Sequence, residues 1–324
     1  MPKPGNLMAR ALVTGVFGFT GRHLARCLVE LGWDVIGSHS GARLGANPAG
    51  TEPGLRLIRI DPMQVASVAA VLEREGPRYI FHLGGHAEAV AAAEGLAAAL
   101  RNHACATAIL LEAVQRVRLE ATVLIPGSSA QFGNPPRPQR PITETVPYRP
   151  VSLYGVAKTA EAMTADYWGR THGLAVIRTN TFNCIGPGQR DSFVPATFAR
   201  QIAAIEKGLA EPILHVGNLV ARRDVIDVRD VAKAYVAAVT RGVPGAVYNV
   251  CSGRAPSVAE LIDGLCRHTR VELELHHDPS RLRPDDIPVQ IGDASALKRA
   301  SGWRPAIPLD TSLADVLDDW RARI

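Results

Sequence analysis

A doubly wound α/β fold, with a parallel sheet covered on both faces and a smaller mixed α/β unit beside it, is what this sequence predicts. Three observations predict it. Short apolar runs recur at regular intervals, helix-period segments separate them, and a glycine-rich turn follows the first run. Strands that alternate with helices require right-handed crossovers, and such crossovers place helices on both sides of the sheet.

In chain order, the runs Ala11 to Thr14, Asp34 to Ser38, Leu55 to Ile60, Tyr79 to Leu83, Ala121 to Ile125 and Ala175 to Arg178 each fit a short buried strand. The intervening helices fall at Thr20 to Leu31, Val65 to Glu75, Ala104 to Val117 and Ala157 to Thr171, and the Ala-rich stretch from Ala87 to Leu100 fits only a helix. Pro and Gly break the rhythm at Cys184 to Gly188, and the Pro-rich stretch Asn134 to Pro150 reads as a surface loop. Farther on come a helix at Val231 to Arg241, a strand at Val247 to Val250, and a helix opened by the capping box of Ser257 and Glu260. The expected division is 1–180, with about 224–251, for a dinucleotide-binding domain, and 181–223 with 252–324 for a substrate domain.

Composition narrows the function. With 324 residues, 47% apolar and 21% charged, the chain suits a globular protein, and no apolar run approaches the roughly 20 residues that span a bilayer. No basic region followed by a cleavable apolar segment opens the chain, so a cytoplasmic protein is expected. Cys27, Cys105, Cys184, Cys251 and Cys266 are odd in number, scattered and without a CxxC pair, which argues against a disulfide framework or a zinc site. His82 and His86, or His276 and His277, lack a third ligand at metal spacing, so no metal is expected. The net charge of +5 comes from basic residues spread along the chain, which argues against nucleic acid as a partner. Only five of the 36 basic residues are lysines; arginine's planar fork suits a phosphorylated small molecule.

The run Val13-Thr-Gly-Val-Phe-Gly-Phe-Thr-Gly21 joins the first strand to the first helix. Gly15, Gly18 and Gly21 stand where the turn tightens, where backbone approaches a pyrophosphate, and where helix packs on strand, the Rossmann arrangement. Phe17 and Phe19, between those glycines, and Leu83, at the end of the fourth strand, are expected in the same cofactor site. The second strand ends in Val35-Ile-Gly-Ser-His-Ser-Gly-Ala-Arg43 without a carboxylate for ribose hydroxyls. Ser38 and Arg43 could accept a 2′-phosphate instead, which favours NADP(H) over NAD(H), although Arg43 could equally be solvated. Asp61 could accept from the adenine amino group or cap the next helix.

Tyr154-Gly-Val-Ala-Lys158 puts a phenol and an ammonium on one helix face, where the cation eases proton exchange with substrate and holds the cofactor ribose. Chance gives this spacing about once in ten such chains, so its position carries the weight. It follows the fifth strand, whose end, Pro126-Gly-Ser-Ser-Ala-Gln-Phe-Gly133, supplies the hydroxyl of Ser128, or of Ser129 if the strand end slips by one. No Gly-x-Ser-x-Gly elbow surrounds Ser128, which removes a hydrolase.

A glycine signature, a serine strand end and a Tyr-x-x-x-Lys helix in this order resemble the extended short-chain dehydrogenase/reductase family over the whole chain. Phe182-Asn-Cys-Ile-Gly-Pro-Gly-Gln189, Val216-Gly-Asn-Leu-Val-Ala-Arg-Arg-Asp224, Val247-Tyr-Asn-Val-Cys-Ser-Gly253 and Arg281-Leu-Arg-Pro-Asp-Asp-Ile-Pro288 resemble its branch acting on GDP-sugars. The resemblance implies NADPH-dependent reduction of a GDP-4-keto-6-deoxyhexose, with Ser128 on the 4-oxygen, Tyr154 as proton donor and Lys158 on the nicotinamide ribose. It also implies that Asn183, Arg223 and Arg283 hold the diphosphate, and that the protein is a homodimer through helices including that of Tyr154. From the residues alone, Arg222 and Arg223 could instead be a solvated pair beside Asp224, and Arg283 could pair with Asp285 or Asp286. Related 4,6-dehydratases place a glutamate two residues after the strand-end hydroxyl, where this chain has Ala130. Other readings are an epimerase or dehydratase with retained cofactor, or a non-catalytic NADP-binding regulator.

One stretch departs from the family pattern. Where relatives carry Gln and small hydroxyl residues, this chain has His82-Leu-Gly-Gly-His-Ala-Glu88, and His103 stands where Asn is usual. Drift in a loop explains this, or else His86 or Glu88 reads an altered sugar such as a 6-deoxyheptose.

Overall fold

The computed structural model describes residues 9–41, 52–85, 93–135, 140–281 and 287–324. Its strands are β1 (Arg10–Thr14), β2 (Asp34–His39), β3 (Leu55–Arg59), β4 (Tyr79–His82), β5 (Thr122–Ser128), β6 (Val176–Thr181), β7 (Asn183–Ile185), β8 (Ile213–Val216), β9 (Arg222–Arg223), β10 (Val225–Asp227), β11 (Val247–Val250), β12 (Glu274–His277) and β13 (Val289–Gln290). Seven of them form a parallel sheet in the order β11-β6-β5-β4-β1-β2-β3. The order reverses beside β1, which opens a crevice at the carboxyl ends of β1 and β4. The parallel sheet expected from the apolar rhythm is thus present, and β11 returns to it from late in the chain.

Alternate residues of each strand feed two cores. Ala11, Val13, Val35, Phe81, Leu124 and Ile177 meet helices α1 (Phe19–Glu30) and, later in the chain, 228–241, through Leu24, Leu28, Val231 and Tyr235. Leu12, Ile36, Ile80, Val123 and Ile125 face the opposite way onto α2 (Val65–Glu75) and the helices 106–116 and 153–172. Burial on both faces is why these strands read as continuous apolar runs rather than alternating ones. Truncating a fully buried member such as Leu124 to Ala would cost about 2–5 kcal/mol.

After α2 the chain forms α3 (Leu96–Leu100), a π-helical turn (Arg101–Cys105) and α4 (Ala106–Arg116). The expected helix at Ala104 is therefore the end of a longer one interrupted by a π turn, a feature that periodicity does not reveal. Helix α5 (Leu153–His172) starts four residues before the expected Ala157 because Ser152 Oγ accepts from Gly155 N at 3.1 Å and caps it. Strand β5 runs on through Pro126 and Gly127 to Ser128, pairing with β6 from Val123 to Ser128. The Pro-Gly pair that looks like a breaker is held in the ladder because Gly127 has no Cβ: one would stand 2.5 Å from Thr179 O.

A separate core forms from α6 (Val194–Glu206), α8 (Val258–Cys266) and α10 (Leu309–Arg323), with Phe198, Ile202, Leu261, Leu265, Leu313 and Leu317 buried together. The capping box of Ser257 and Glu260 is present at the start of α8. Helix α7 (Val228–Arg241) packs against α1, and α9 (Ser295–Ser301) against α7. Asp224 stitches these parts together. It is 0% exposed, and its carboxylate accepts from Ser252 N, Ser252 Oγ, Gly253 N and Gly292 N at 2.7–3.1 Å. Among the described residues no helix is long and apolar enough to cross a membrane.

Candidate active site

The glycine turn has the geometry that a dinucleotide requires. Gly15 lies at a φ of 65°, and a Cβ there would stand 2.6 Å from Leu83 O. A Cβ on Gly21 would stand 2.4 Å from Gly15 O, so helix and turn touch backbone to backbone. Helix α1 opens at Gly18 without a side-chain cap or an acidic residue in its first turn. Its amide N–H groups thus face the crevice unsatisfied by side chains, a ready site for a pyrophosphate. Phe17 and Phe19 flank the turn, Phe17 against His39 with ring centroids 5.7 Å apart and Phe19 edge-on to His23.

At the end of β2, Ser38 is buried within the strand, and Arg43 lies outside the described residues. The half-buried residue beside Phe17 is His39, whose Nδ1 accepts from Gly41 N at 3.2 Å. Arg59, its register partner on β3, runs along the chain at Gly41, where a Cβ would stand 2.8 Å from Nε. His39 and Arg59 therefore stand side by side at the ends of β2 and β3, next to Phe17 of the glycine turn. Asp61 is exposed; its Oδ1 accepts from Met63 N at 2.9 Å, while Gln64 takes the N-cap position of α2. The carboxylate thus supports the turn before the helix rather than capping it.

Ser128 closes β5 and caps a 3₁₀ turn (Ser129–Phe132). Its Oγ accepts from Ala130 N at 3.2 Å, and its N–H donates to Gln131 Oε1 at 2.6 Å. An accepting hydroxyl keeps its own proton free to donate elsewhere. Ser129 is buried, and its carbonyl accepts from Gln290 Nε2 at 2.9 Å. Helix α5 docks straight onto this turn, because a Cβ on Gly155 would stand 2.6 Å from Ala130 O. That close approach brings Tyr154, in the first turn of α5, to the carboxyl end of β5, with Lys158 one turn farther along the same face.

Beneath the pair lies a cluster that spacing did not single out. Lys158 Nζ contacts Glu161 Oε2, Thr107 Oγ1 donates to Glu161 Oε1 at 3.2 Å, and His103 Nδ1 is 3.8 Å from Oε2. His103, carried by the π turn, sets its ring at 76° to that of Tyr154 with centroids 5.6 Å apart. Burial alone would push Glu161 up, but Lys158 and His103 hold it at about 2. His82 is buried, shares a 3.0 Å hydrogen bond with Thr14 Oγ1, and is pushed down to about 4 by burial, so it stays neutral. It supports β1 and β4 rather than facing a sugar. His86 and Glu88 lie outside the described residues.

Asn183 and Arg223 lie on β7 and β9, outside the seven-stranded sheet. Asn183 Nδ2 donates to Asp224 O at 3.0 Å, and Arg223 Nη1 donates to Arg222 O and Ile287 O. Arg222 instead turns to Glu260 at 3.1 Å, so neither arginine pairs with Asp224, whose carboxylate is filled by uncharged donors. Arg283 and its possible partners Asp285 and Asp286 lie outside the described residues.

The family model described as GDP-mannose 4,6 dehydratase matches residues 12–316. The chain is 35% identical to GDP-6-deoxy-D-mannose reductase of Pseudomonas aeruginosa, over 97% of this chain and 98% of that one. It is 25% identical to GDP-mannose 4,6-dehydratase of Vibrio cholerae, over 95% of this chain and 92% of that one. Among solved structures, RMD from Pseudomonas aeruginosa complexed with NADPH superposes with a TM-score of 0.84 at 34% identity, covering 98% of this chain and all of the other.

Proposed function

Because the chain belongs to the GDP-mannose 4,6-dehydratase family of extended short-chain dehydrogenases/reductases, we propose that it is an NADPH-dependent reductase of a GDP-4-keto-6-deoxyhexose, yielding a GDP-rhamnose or GDP-6-deoxytalose type product. One observation carries this reading. Ser128, Tyr154 and Lys158 converge beside a dinucleotide turn in a chain 35% identical, over nearly its whole length, to GDP-6-deoxy-D-mannose reductase.

The residues divide the work. The glycine turn of Gly15, Gly18 and Gly21 would hold NADPH, which would supply the hydride. Ser128 and Tyr154 donate hydrogen bonds to the keto oxygen, and preorganised donors aimed at a developing alkoxide supply the largest share of such stabilisation. Tyr154 would give up its proton to that oxygen, while Lys158 would hold the ribose and favour the phenolate left behind. Arg223, Asn183 and Arg283 are assigned to the GDP diphosphate, for which convergent guanidinium donors are well suited. Residues 1–180 with about 224–251 would carry the cofactor, and 181–223 with 252–324 the nucleotide sugar.

Ala130 gives the reading its direction. A methyl group can neither remove nor donate a proton, so this site is set for reduction without dehydration. Helix α5 leaves Leu153, Met163 and Tyr167 exposed, and we assign that face to a homodimer contact. A cytoplasmic setting accords with five cysteines, none of them paired. The test is a screen of GDP-, UDP- and dTDP-linked 4-keto-6-deoxy sugars with NADPH consumption as readout. Preferential turnover of the GDP-linked compound is expected; turnover only of UDP- or dTDP-sugars, or of none, would overturn the assignment.

A further inference from the structure

The reduction uses Ser128, Tyr154 and Lys158, and it leaves a buried carboxylate beside them without a task. Glu161 is 1% exposed and Lys158 6%. The two are three residues apart on one face of α5, so an ammonium and a carboxylate are locked together inside the protein. His103, also buried, bridges from the carboxylate to the ring of Tyr154. Gly85 leaves the room for that imidazole, since a Cβ there would stand 2.5 Å from His103 Cε1. Contacts thus run from Tyr154 through His103 and Glu161 to Lys158, a circuit that only the backbone of α5 closes and that joins α5 to the π turn.

We infer that Glu161 is a positioning residue for this reduction, holding the Lys158 ammonium in place on the face of α5 that carries Tyr154 and setting a buried negative charge against that ammonium. The inference rests on the ketoreductase reading. A carboxylate beside the catalytic ammonium weakens the pull of that ammonium on the phenol, which at first sight works against the enzyme. The same charge, however, makes every neighbouring acid harder to ionise, phenol and ammonium alike. Reduction needs both the phenol and the ammonium protonated. The sign is therefore the same whichever of the two loses its proton first.

The other groups around the circuit do not compete for this role. From β4, His82 is neutral; from α4, only the Thr107 hydroxyl reaches the carboxylate; from the π turn comes His103. From α7, Tyr235 bonds Thr181 Oγ1 and is held protonated by burial.

The test compares Glu161→Gln, Glu161→Met and Glu161→Asp by two readouts. One is kcat and KM against pH with NADPH; the other is the ultraviolet difference titration of tyrosinate in the cofactor-free protein, with Tyr154→Phe as the blank. The Gln variant should lose about tenfold to a hundredfold in kcat with KM for the sugar little changed. Its alkaline limb and its tyrosinate titration should both move down by about one pH unit or more. Glu161→Asp keeps the charge and should hold both titrations near their original pH while losing rate. Glu161→Met, neutral and of similar length, repeats the Gln test if that variant does not fold. A folded Gln or Met variant whose tyrosinate titration stays in place overturns the inference, as does a lowered Tm with an unmoved pH profile. If the unaltered enzyme reduces no GDP-linked keto sugar, the ketoreductase reading falls, whereas the tyrosinate titration still decides whether Glu161 governs Tyr154.

Discussion

Preference for NADPH over NADH should depend on the edge formed by His39 and Arg59, and the strongest perturbation is His39→Asp, which installs the ribose-binding acid the sequence lacks. Phe17 lies against His39, and Arg59 runs along Gly41, which makes this edge the one to test. Two unit charges about 5 Å apart repel by about 3 kcal/mol at an effective dielectric of about 20, which sets the scale for a new carboxylate facing a 2′-phosphate. Exposure and physiological salt reduce that to about 1–2 kcal/mol, or about fivefold to thirtyfold in NADPH affinity. Arg59→Ala removes a charge-assisted donor, a loss of about 1.5–3 kcal/mol against the phosphate and little against NADH. Fluorescence titrations of both cofactors, at low and physiological salt, measure this directly. NADPH binding should weaken in each variant, NADH binding should hold or improve in His39→Asp, and the differences should shrink with salt. An affinity ratio that shifts less than about twofold in both variants would refute the reasoning and move recognition to another residue, Arg43 being the first to test.

Tyr154→Phe removes the proton donor while keeping the ring against His103, so kcat should fall by about 10²–10⁴ with NADPH affinity nearly intact; a variant keeping most of its kcat would exclude Tyr154 from proton transfer. GDP-mannose with catalytic NADP should give no 4-keto-6-deoxy product, because Ala130 has no acid or base to offer; detecting that product by mass spectrometry would reverse the reaction assignment. Acid should destabilise the fold through His82, whose folded value of about 4 lies below its ordinary 6.5. Its contribution is complete above pH 6.5 and is lost as the pH falls towards 4, at up to about 1.4 kcal/mol per unit. Chemical denaturation of His82→Gln across that range should show a shallower slope, and an unchanged slope would assign the acid sensitivity to other groups.

The sequence makes the sheet legible because its strands are buried on both faces. Apolar runs such as Leu12 to Val13 or Ile80 to Phe81 serve two cores at once and cannot be mistaken for a solvated edge. Less legible is whatever depends on where backbone meets backbone. The extension of β5 through Pro126 to Ser128 depends on Gly127 against Thr179, and the early start of α5 on the Ser152 cap, which lacks the glutamate that completes a capping box. At the site, Ser128, Tyr154 and Lys158 stand out because their spacing is local. His39 is less legible: one residue decides which side of a strand a side chain takes, and its contact with Phe17 depends on that side. Glu161 is harder still to read, since a glutamate three residues beyond a lysine ordinarily marks a solvated helix face, and only burial shows otherwise.

Scaffold and chemistry separate most clearly at the turn after β5. Ser128 is fixed by Gln131 and by the Ala130 amide, the turn is fixed from below by Gln290 on the Ser129 and Gly133 carbonyls, and α5 is seated by Gly155 on the Ala130 carbonyl. Every one of these contacts to residue 130 is made by its backbone. The side chain at that position can therefore change without moving Ser128 or Tyr154, so a reductase and a dehydratase can share one hydroxyl and phenol geometry while differing in a single acid. The same separation does not hold at Glu161: its carboxylate touches the Lys158 ammonium itself, so substitution there alters the electrostatics at Lys158 even where the backbone stays in place.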